Sequence, residues 1–191
     1  MINIIKNEDA IWHTDEYDAV LLGTNIYNML TNGFQCKMTV KYPYLRPEVD
    51  KSNYADNRKM GTCLLVEGPP EICVMFMSKY PSRKRLFCDY DAIESCFKYA
   101  NVRYAGKKCL TTVVGASTFD GNGDKDRIME IIRNNTDNLD LDIYDYEQLE
   151  KRTEGYILFR KMLKYRYTDH DKFVNLWYDK YNVVKRLYVT F

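Results

Sequence analysis

Short apolar runs and helix-like periodicities alternate along the first 146 residues of the chain. Continuous apolar runs are typical of strands covered on both faces, and runs that alternate with acids are typical of half-buried strands. The predicted strands are residues 2–5, 17–22, 62–67, 72–78, 109–114 and 139–146. Helical spacing follows Gly33, stops before Tyr42-Pro43, and returns over 89–105 and 124–133. This order predicts an α/β fold with a parallel or mixed sheet and helices on its faces.

Breaks in the pattern predict where the elements connect. Gly68-Pro69-Pro70 separates two strands and predicts a hairpin. Residues 43–59 are polar and contain two prolines, which indicates a loop. After residue 146 the character changes, and 146–167 and 169–184 predict two helices rich in Tyr, Phe, Lys and Arg. We therefore expect a domain over 1–146 and a helical extension over 147–191.

The extension differs from the rest of the chain in charge. The whole chain has a net charge of +1, but residues 151–191 contain ten basic and four acidic side chains. Ten aromatic residues lie among these cations in 147–191. Three interpretations stay open: a helical pair packed on the sheet, with Lys and Arg stems covering apolar surface; a protein-binding surface; or a surface for single-stranded nucleic acid, which favours stacking groups beside cations.

Composition limits the functional classes. Hydrophobic residues make up 46% of the 191 residues, but no apolar run approaches the length of a membrane span. The N-terminus lacks the pattern of a secretory signal, so we expect a cytoplasmic protein without a membrane partner. Six separate cysteines and only two histidines argue against a zinc site and against Ser-His-Asp or Cys-His catalysis. Buried free thiols are the simplest interpretation of the cysteines.

Two glycine-containing loops are the strongest candidates for chemistry. A predicted strand runs into Gly115, Gly121 and Gly123 and then into a helix, an arrangement in which backbone N–H groups can approach a phosphate. Asn32-Gly33 follows an earlier strand in the same way. The spacing fits neither a Walker A loop, a dinucleotide fingerprint nor a calcium loop. The loop from Gly115 to Gly123 also fits a tight surface turn, but two equivalent loops together favour a diphosphate ligand.

The opening of the chain resembles the start of a macro domain. Residues 4–11 read IIKNEDAI and residues 18–25 read DAVLLGTN, where that family reads a strand, Gly-Asp-Ile-Thr, a gap, and Asp-Ala-Ile-Val-Asn-Ala-Ala-Asn. The segment from Gly115 to Gly123 resembles the second phosphate loop of the family. The resemblance covers 1–146 and lies nearest to the small glycohydrolases that remove ADP-ribose from carboxylates or nucleic acid. It implies a three-layer α/β/α fold.

The resemblance implies ADP-ribose as ligand or substrate, with no other cofactor and no metal. It places Asp9 at the adenine amino group, Ile11 near the adenine and Asn25 beside the distal ribose. The implied phosphate-loop residues are Gly33, Gly115, Ser117, Thr118, Phe119, Gly121 and Gly123. In the family branch a lysine after the first loop attacks the anomeric carbon and a second-loop aspartate assists. Here the implied catalytic residues are Lys37 or Lys41, four apart on one helical face, and Asp120.

Each implied residue also has a simpler explanation. Asp9 fits a helix N-cap, Asn25 and Asp120 fit turn residues, and Lys37 and Lys41 fit solvated helix charges. Three functions therefore stay open: an ADP-ribosyl glycohydrolase, a non-catalytic ADP-ribose or nucleotide module, and an inhibitor of a partner protein. The Lys-, Asn-, Asp- and Tyr-rich composition resembles that of large tailed-phage proteins. Counter-defence against a host ADP-ribosyltransferase fits that source.

Overall fold

A six-stranded mixed sheet organises the chain, with strand order β1-β6-β5-β2-β4-β3. The computed structural model describes residues 1–6, 8–30, 33–79, 86–116 and 121–145. The strands are β1 (Ile2–Lys6), β2 (Ala19–Asn25), β3 (Cys63–Val66), β4 (Glu71–Ser78), β5 (Lys108–Thr112) and β6 (Asp140–Asp145). All neighbouring strands pair in parallel except β3, which is antiparallel to β4. The predicted α/β class, mixed sheet and hairpin are confirmed.

Helices cover both faces of this sheet. They are α1 (Gly33–Lys41), α2 (Leu45–Asp50), α3 (Tyr90–Arg103) and α4 (Lys125–Asn134). Apolar residues of α3 and α4 pack on one face with the odd-numbered core residues of β2, such as Leu21. Residues of α1 and α2 pack on the other face with Val20 and Leu22. Strand β2 is buried along its whole length because both its faces and both its edges are covered.

Local sequence explains where the two longest helices begin. The Asp89 carboxylate accepts a hydrogen bond from the Ala92 amide at 3.0 Å, and Asp124 accepts one from the Arg127 amide at 2.8 Å. Both are N-cap contacts, which supply acceptors for amides that have no partner inside the helix. Each cap stands one residue before its helix, so the predicted starts at 89 and 124 are displaced by one position.

The prediction that 43–59 is only a loop was wrong for part of the segment. Helix α2 occupies Leu45–Asp50, and a single 3-10 turn occupies Asn57–Lys59. Pro47 lies in the first turn of α2, where a missing amide proton costs no helical hydrogen bond. Leu45 and Val49, four residues apart, are both fully buried, so the helix is stabilised by packing rather than by propensity.

The sequence analysis also made predictions about the cysteines, membrane spans, metal sites and the C-terminal extension. All six cysteines are free thiols, and five of them are buried. Within the described ranges, no helix is long and apolar enough to cross a membrane. In that same part of the chain, no group of three His, Cys, Asp or Glu side chains is arranged to hold a metal ion. The predicted helical extension over 147–191 lies outside the described residues, as does the last predicted strand residue, Tyr146.

Candidate functional site

The predicted site residues follow strands that end at one edge of the sheet. Strands β1, β2, β4, β5 and β6 are parallel, so their carboxyl ends share this edge. Asp9 follows β1, Asn25 ends β2, Gly33 begins the helix after β2, and Gly115 follows β5. In open α/β sheets, ligands bind outside the carboxyl ends of the strands. The fold thus brings both predicted phosphate loops and the predicted adenine acid to the usual ligand edge.

Asp9 has two structural contacts in addition to its predicted role. Its carboxylate accepts a long hydrogen bond of 3.4 Å from the Ile11 amide, capping the 3-10 turn Ala10–Trp12. The same carboxylate forms an ion pair with the ammonium group of Lys37 on α1. Both side chains are 24% exposed, so the pair is reachable from solvent. Asp9 is therefore a cap, and its charge is matched by Lys37.

Lys41 is held one turn further along α1. Its ammonium group donates to Thr14 Oγ1 at 2.7 Å and to the Ile11 carbonyl at 3.2 Å. It also forms an ion pair with Asp15 at 2.6 Å. Hydrogen bonds from Lys41 and Tyr42 hold the pKa of Asp15 below its ordinary value, against the opposing effect of burial. Lys41 thus fastens the 11–15 segment to the end of α1.

Asn25 organises the turn that leaves β2. Its side-chain oxygen accepts hydrogen bonds from the amides of Tyr27 at 3.0 Å and Met29 at 3.2 Å. Its side-chain nitrogen donates to the Met29 carbonyl at 3.4 Å, and the residue is 3% exposed. The simpler explanation, a turn residue, therefore applies to Asn25. Its place beside the distal ribose stays a prediction.

Gly33 begins α1 in a left-handed conformation, with a φ of +46°. A Cβ atom built on this residue would meet nothing within 4 Å. The backbone conformation, rather than crowding, therefore explains the glycine. The first turn of α1 contains no acidic side chain, so its positive dipole end is not neutralised from within the helix.

The glycines of the second loop are explained by close packing around Cys88. A Cβ on Gly121 would lie 2.8 Å from Cys88 Cβ, and one on Gly123 would lie 2.5 Å from Cys88 Sγ. The Gly123 amide donates to the Gly115 carbonyl at 2.9 Å, which closes the loop on itself. Gly115 has a φ of +75°. These glycines let the loop backbone approach Cys88 closely, and this packing explains them without a phosphate ligand.

The centre of the second loop lies outside the described residues. The predicted residues there are Ser117, Thr118, Phe119 and Asp120. Ile11, the predicted adenine neighbour, is described and is only 1% exposed. Its side chain packs in the apolar core on the α1 side of the sheet, beside residues such as Met38. A ligand near Ile11 would therefore contact mainly the backbone of this residue.

Sequence reasoning missed two lysines at this edge. Lys79 directly follows β4 and is exposed, and its strand neighbour Ser78 is register-paired with Asn25. The sequence signal that could have identified Lys79 is a lysine placed immediately after a buried apolar run. Lys59 is only 8% exposed and contacts the turn after β2, although no sequence signal separates it from surface lysines. A third feature is Thr24, whose buried hydroxyl has no hydrogen-bond partner within the described ranges.

A separate groove of about 450 Å³ lies between α3 and α4. Its lining is mostly charged or amide-bearing and includes Glu94, Lys98 and Glu130. The Arg127 guanidinium lies over the ring of Tyr90 at 3.8 Å and fills one part of it. Among the residues that the structure describes, none of the predicted ligand residues lines this groove.

Comparison with known proteins gives structural matches only. No protein-family model matches the sequence, and no curated protein is significantly similar to it. The macrodomain of Mycobacterium tuberculosis DarG matches with a TM-score of 0.60 and 16% identity, over 75% of this chain and 97% of that chain. A Bacteroides thetaiotaomicron protein of unknown function matches with a TM-score of 0.61 and 17% identity, over 76% and 98%.

A third match carries a ligand. Thermosipho africanus DarTG, solved in complex with ADP-ribose, matches with a TM-score of 0.59 and 14% identity, over 81% of this chain and 44% of that one. Identities this low compare folds rather than activities. The described part of the chain therefore has the mixed α/β fold of the macrodomains.

Proposed function

We propose that the protein binds ADP-ribose at the carboxyl edge of its sheet and removes it from a modified macromolecule. One observation carries the proposal. The residues that resemble the ligand-binding motifs of macro domains, Asp9, Asn25, Gly33 and Gly115, all follow strands that end at this edge. Structural matches of the same fold include macrodomain proteins solved with ADP-ribose. The site therefore supports a ligand that combines a purine, a diphosphate and a second ribose.

Binding in this proposal divides among three parts of the edge. The Asp9 carboxylate accepts a hydrogen bond from the adenine amino group, while its ion pair with Lys37 holds that carboxylate in place. The diphosphate lies between the N-terminus of α1 at Gly33 and the loop that begins at Gly115. Helix N-termini and loop amides favour anions because their N–H groups and dipoles point outward.

The catalytic lysine is a separate question. Lys37 and Lys41 are both in ion pairs, with Asp9 and Asp15, and a nucleophilic amine must be free of its proton and of a carboxylate partner. Lys79 is exposed and forms no ion pair within the described residues. It stands one residue beyond Ser78, the register partner of Asn25. We therefore assign the nucleophile to Lys79 in preference to Lys37 or Lys41.

The reaction then balances with two groups of this chain. Lys79 first gives its ammonium proton to the Asp120 carboxylate. The resulting amine then forms a bond to the anomeric carbon of the distal ribose as the bond from that carbon to the macromolecule breaks. Asp120 gives its proton to the leaving group and takes it back from the water that later releases ADP-ribose from the lysine. When the ribose ring of this adduct opens, a proton moves from the lysine nitrogen to the ring oxygen and a Schiff base forms. Borohydride reduces that Schiff base to a stable secondary amine, which traps the adduct.

Calorimetric titration of the full chain with ADP-ribose tests binding. We expect micromolar affinity that falls at least tenfold in Asp9→Ala. Absence of binding at millimolar ligand would contradict the proposal. Turnover is tested on ADP-ribosylated DNA and on a glutamate-linked ADP-ribosylated protein, with release of ADP-ribose as the readout.

A binding module without turnover is the second candidate. The ion pairs that occupy Lys37 and Lys41 favour it, because they remove two of the amines near the site from catalysis. Tight ADP-ribose binding with no release from either substrate would identify this function. Both functions are compatible with a phage counter-defence protein. A protein that instead inhibits a host ADP-ribosyltransferase would capture that enzyme in pull-down experiments.

A further inference from the structure

Lys59 is a buried cation with only neutral hydrogen-bond partners. Its ammonium group donates to Asn28 Oδ1, to Ser52 Oγ at 3.0 Å and to the Asn53 carbonyl at 2.9 Å. It also lies 4.2 Å from the centre of the Phe76 ring. Within the described residues no carboxylate forms an ion pair with it. Burying a charge without a counter-ion is costly, even when its hydrogen bonds are satisfied.

The partners of Lys59 place this charge beside the first loop of the site. Asn28 lies in the turn between β2 and α1 and has a φ of +56°, a conformation that an L side chain seldom adopts. Its side-chain nitrogen donates to the carbonyls of Val49 and Ser52, both at 3.1 Å. Lys59 binds the oxygen of the same amide. The ammonium group is therefore attached directly to the turn that leads to Gly33.

Other groups around Lys59 leave its charge uncompensated at close range. The nearest carboxylates that act on it are Asp56, at the start of its own turn, and Asp50, at the end of α2. Both are already paired, Asp56 with Arg58 and Asp50 with Arg46. The turn after β2 presents Asn28 and β4 presents Phe76, neither of which titrates. Burial lowers the pKa of Lys59 despite these acids.

We propose that Lys59 is the built-in counter-charge for the diphosphate of the ligand, acting through the 25–30 turn as a positioning residue. The proposal rests on the proposed function, because it assigns the diphosphate to this loop. A fixed cation in a low-dielectric setting acts over a longer range than a solvated one. A bound diphosphate would supply the negative charge that the described protein residues do not.

The test compares ADP-ribose affinity in the full-length wild type, Lys59→Gln and Lys51→Met. Glutamine keeps a hydrogen-bond donor near Asn28 but removes the charge. Lys51 is a matched control, because its side chain is 70% exposed and its loss changes the net charge equally. We expect Lys59→Gln to weaken ADP-ribose binding about tenfold or more at neutral pH, by analogy with other desolvated charge pairs, and Lys51→Met to change it less than about twofold.

The pH profile separates a charge effect from a structural one. Because burial lowers the pKa of Lys59, wild-type affinity should fall with rising pH before ordinary lysines lose their protons, and the profile of Lys59→Gln should be flatter. The affinity for adenosine, which has no phosphate, should change little in either variant. Equal ADP-ribose affinity in wild type and Lys59→Gln, or parallel pH profiles, would overturn the proposal and leave the proposed function intact. Failure of the wild type to bind ADP-ribose would instead remove the proposed function itself.

Discussion

The ammonium group of Lys37 forms an ion pair with the carboxylate of Asp9, across 28 residues of sequence and between helix α1 and the turn after β1. The contact joins the connection after β1 to helix α1, which follows β2. It fixes the direction of the one acidic side chain that the macro-domain resemblance places at the adenine. The ion pair thereby orients the acid before any ligand arrives.

This relationship predicts the behaviour of Asp9→Asn. Asparagine keeps an oxygen that can cap the turn at Ile11, but it loses the charge that pairs with Lys37. We expect ADP-ribose affinity to fall about tenfold, as for a lost charge-assisted hydrogen bond, with a stability loss of about 1 kcal/mol or less. Asp15→Asn is the control, because Asp15 pairs with Lys41 on the same helix. Equal effects of both variants on affinity would contradict a ligand contact at Asp9.

The assignment of the nucleophile predicts a split between binding and turnover. Lys79→Ala should reduce release of ADP-ribose by at least about a thousandfold, as expected for loss of a covalent nucleophile, and should leave ADP-ribose affinity within about threefold. The control is Lys98→Ala, since Lys98 is 62% exposed on α3 and pairs only with Glu94. Mass spectrometry after borohydride reduction should find ADP-ribose on Lys79 in the wild type. Full turnover in Lys79→Ala would refute the assignment.

The glycines of the two loops should respond differently to alanine. Gly121→Ala would place a methyl group 2.8 Å from both Cys88 Cβ and the Gly115 carbonyl oxygen, and should cost about 2–3 kcal/mol of unfolding free energy. Gly33→Ala meets no atoms and should cost only about 1–2 kcal/mol, from its positive φ. Gly106, with a φ of +74° and open space, is the matched control for Gly33. Urea titrations measure the free energy of unfolding of the three alanine variants. An equal loss in Gly121→Ala and Gly33→Ala would contradict the packing explanation.

The thiols predict selective alkylation. Hydrogen bonds from Cys73 and then Cys96 lower the pKa of Cys63 to about 5, against the opposing effect of burial. Burial raises the pKa of Cys109 to about 12. Cys63 is also the only one of the six cysteines that is not fully buried. Because the thiolate is the reactive form, iodoacetamide should modify Cys63 before the other five cysteines. Peptide mapping identifies the modified residue, and first labelling of Cys109 would contradict this order.

The sequence predicted the strands and longer helices because their signals are local. Continuous apolar runs marked β2 and β4, and Asp89 and Asp124 marked helix starts. Helix α2 escaped prediction because its six residues include a proline and too few apolar positions to form a periodic pattern. Short helices of this kind depend on tertiary packing, which no local window contains.

The site was predicted only in outline, for a related reason. The resemblance placed Asp9, Asn25 and the glycines after the right strands, which the topology then brings to one edge. Which lysines are paired depends on contacts between distant segments, such as that of Lys41 with Asp15. The burial of Lys59 was equally invisible, because lysine is rarely buried and its neighbours in sequence are polar. Composition alone therefore does not distinguish a paired lysine such as Lys41, or a buried one such as Lys59, from a solvated lysine.

The position of each strand in the sheet has a consequence for how a ligand would leave. Asn25 ends β2, which is buried throughout, whereas Asp9 follows β1, an edge strand with exposed residues on both faces. Local opening requires least free energy where few apolar contacts hold the backbone. Amide hydrogen exchange should accordingly be fastest around β1 and slowest in β2. In the proposed binding mode, the diphosphate end of the site adjoins the strand that opens least, and the adenine end adjoins the strand that opens first, so bound nucleotide would dissociate from its adenine end.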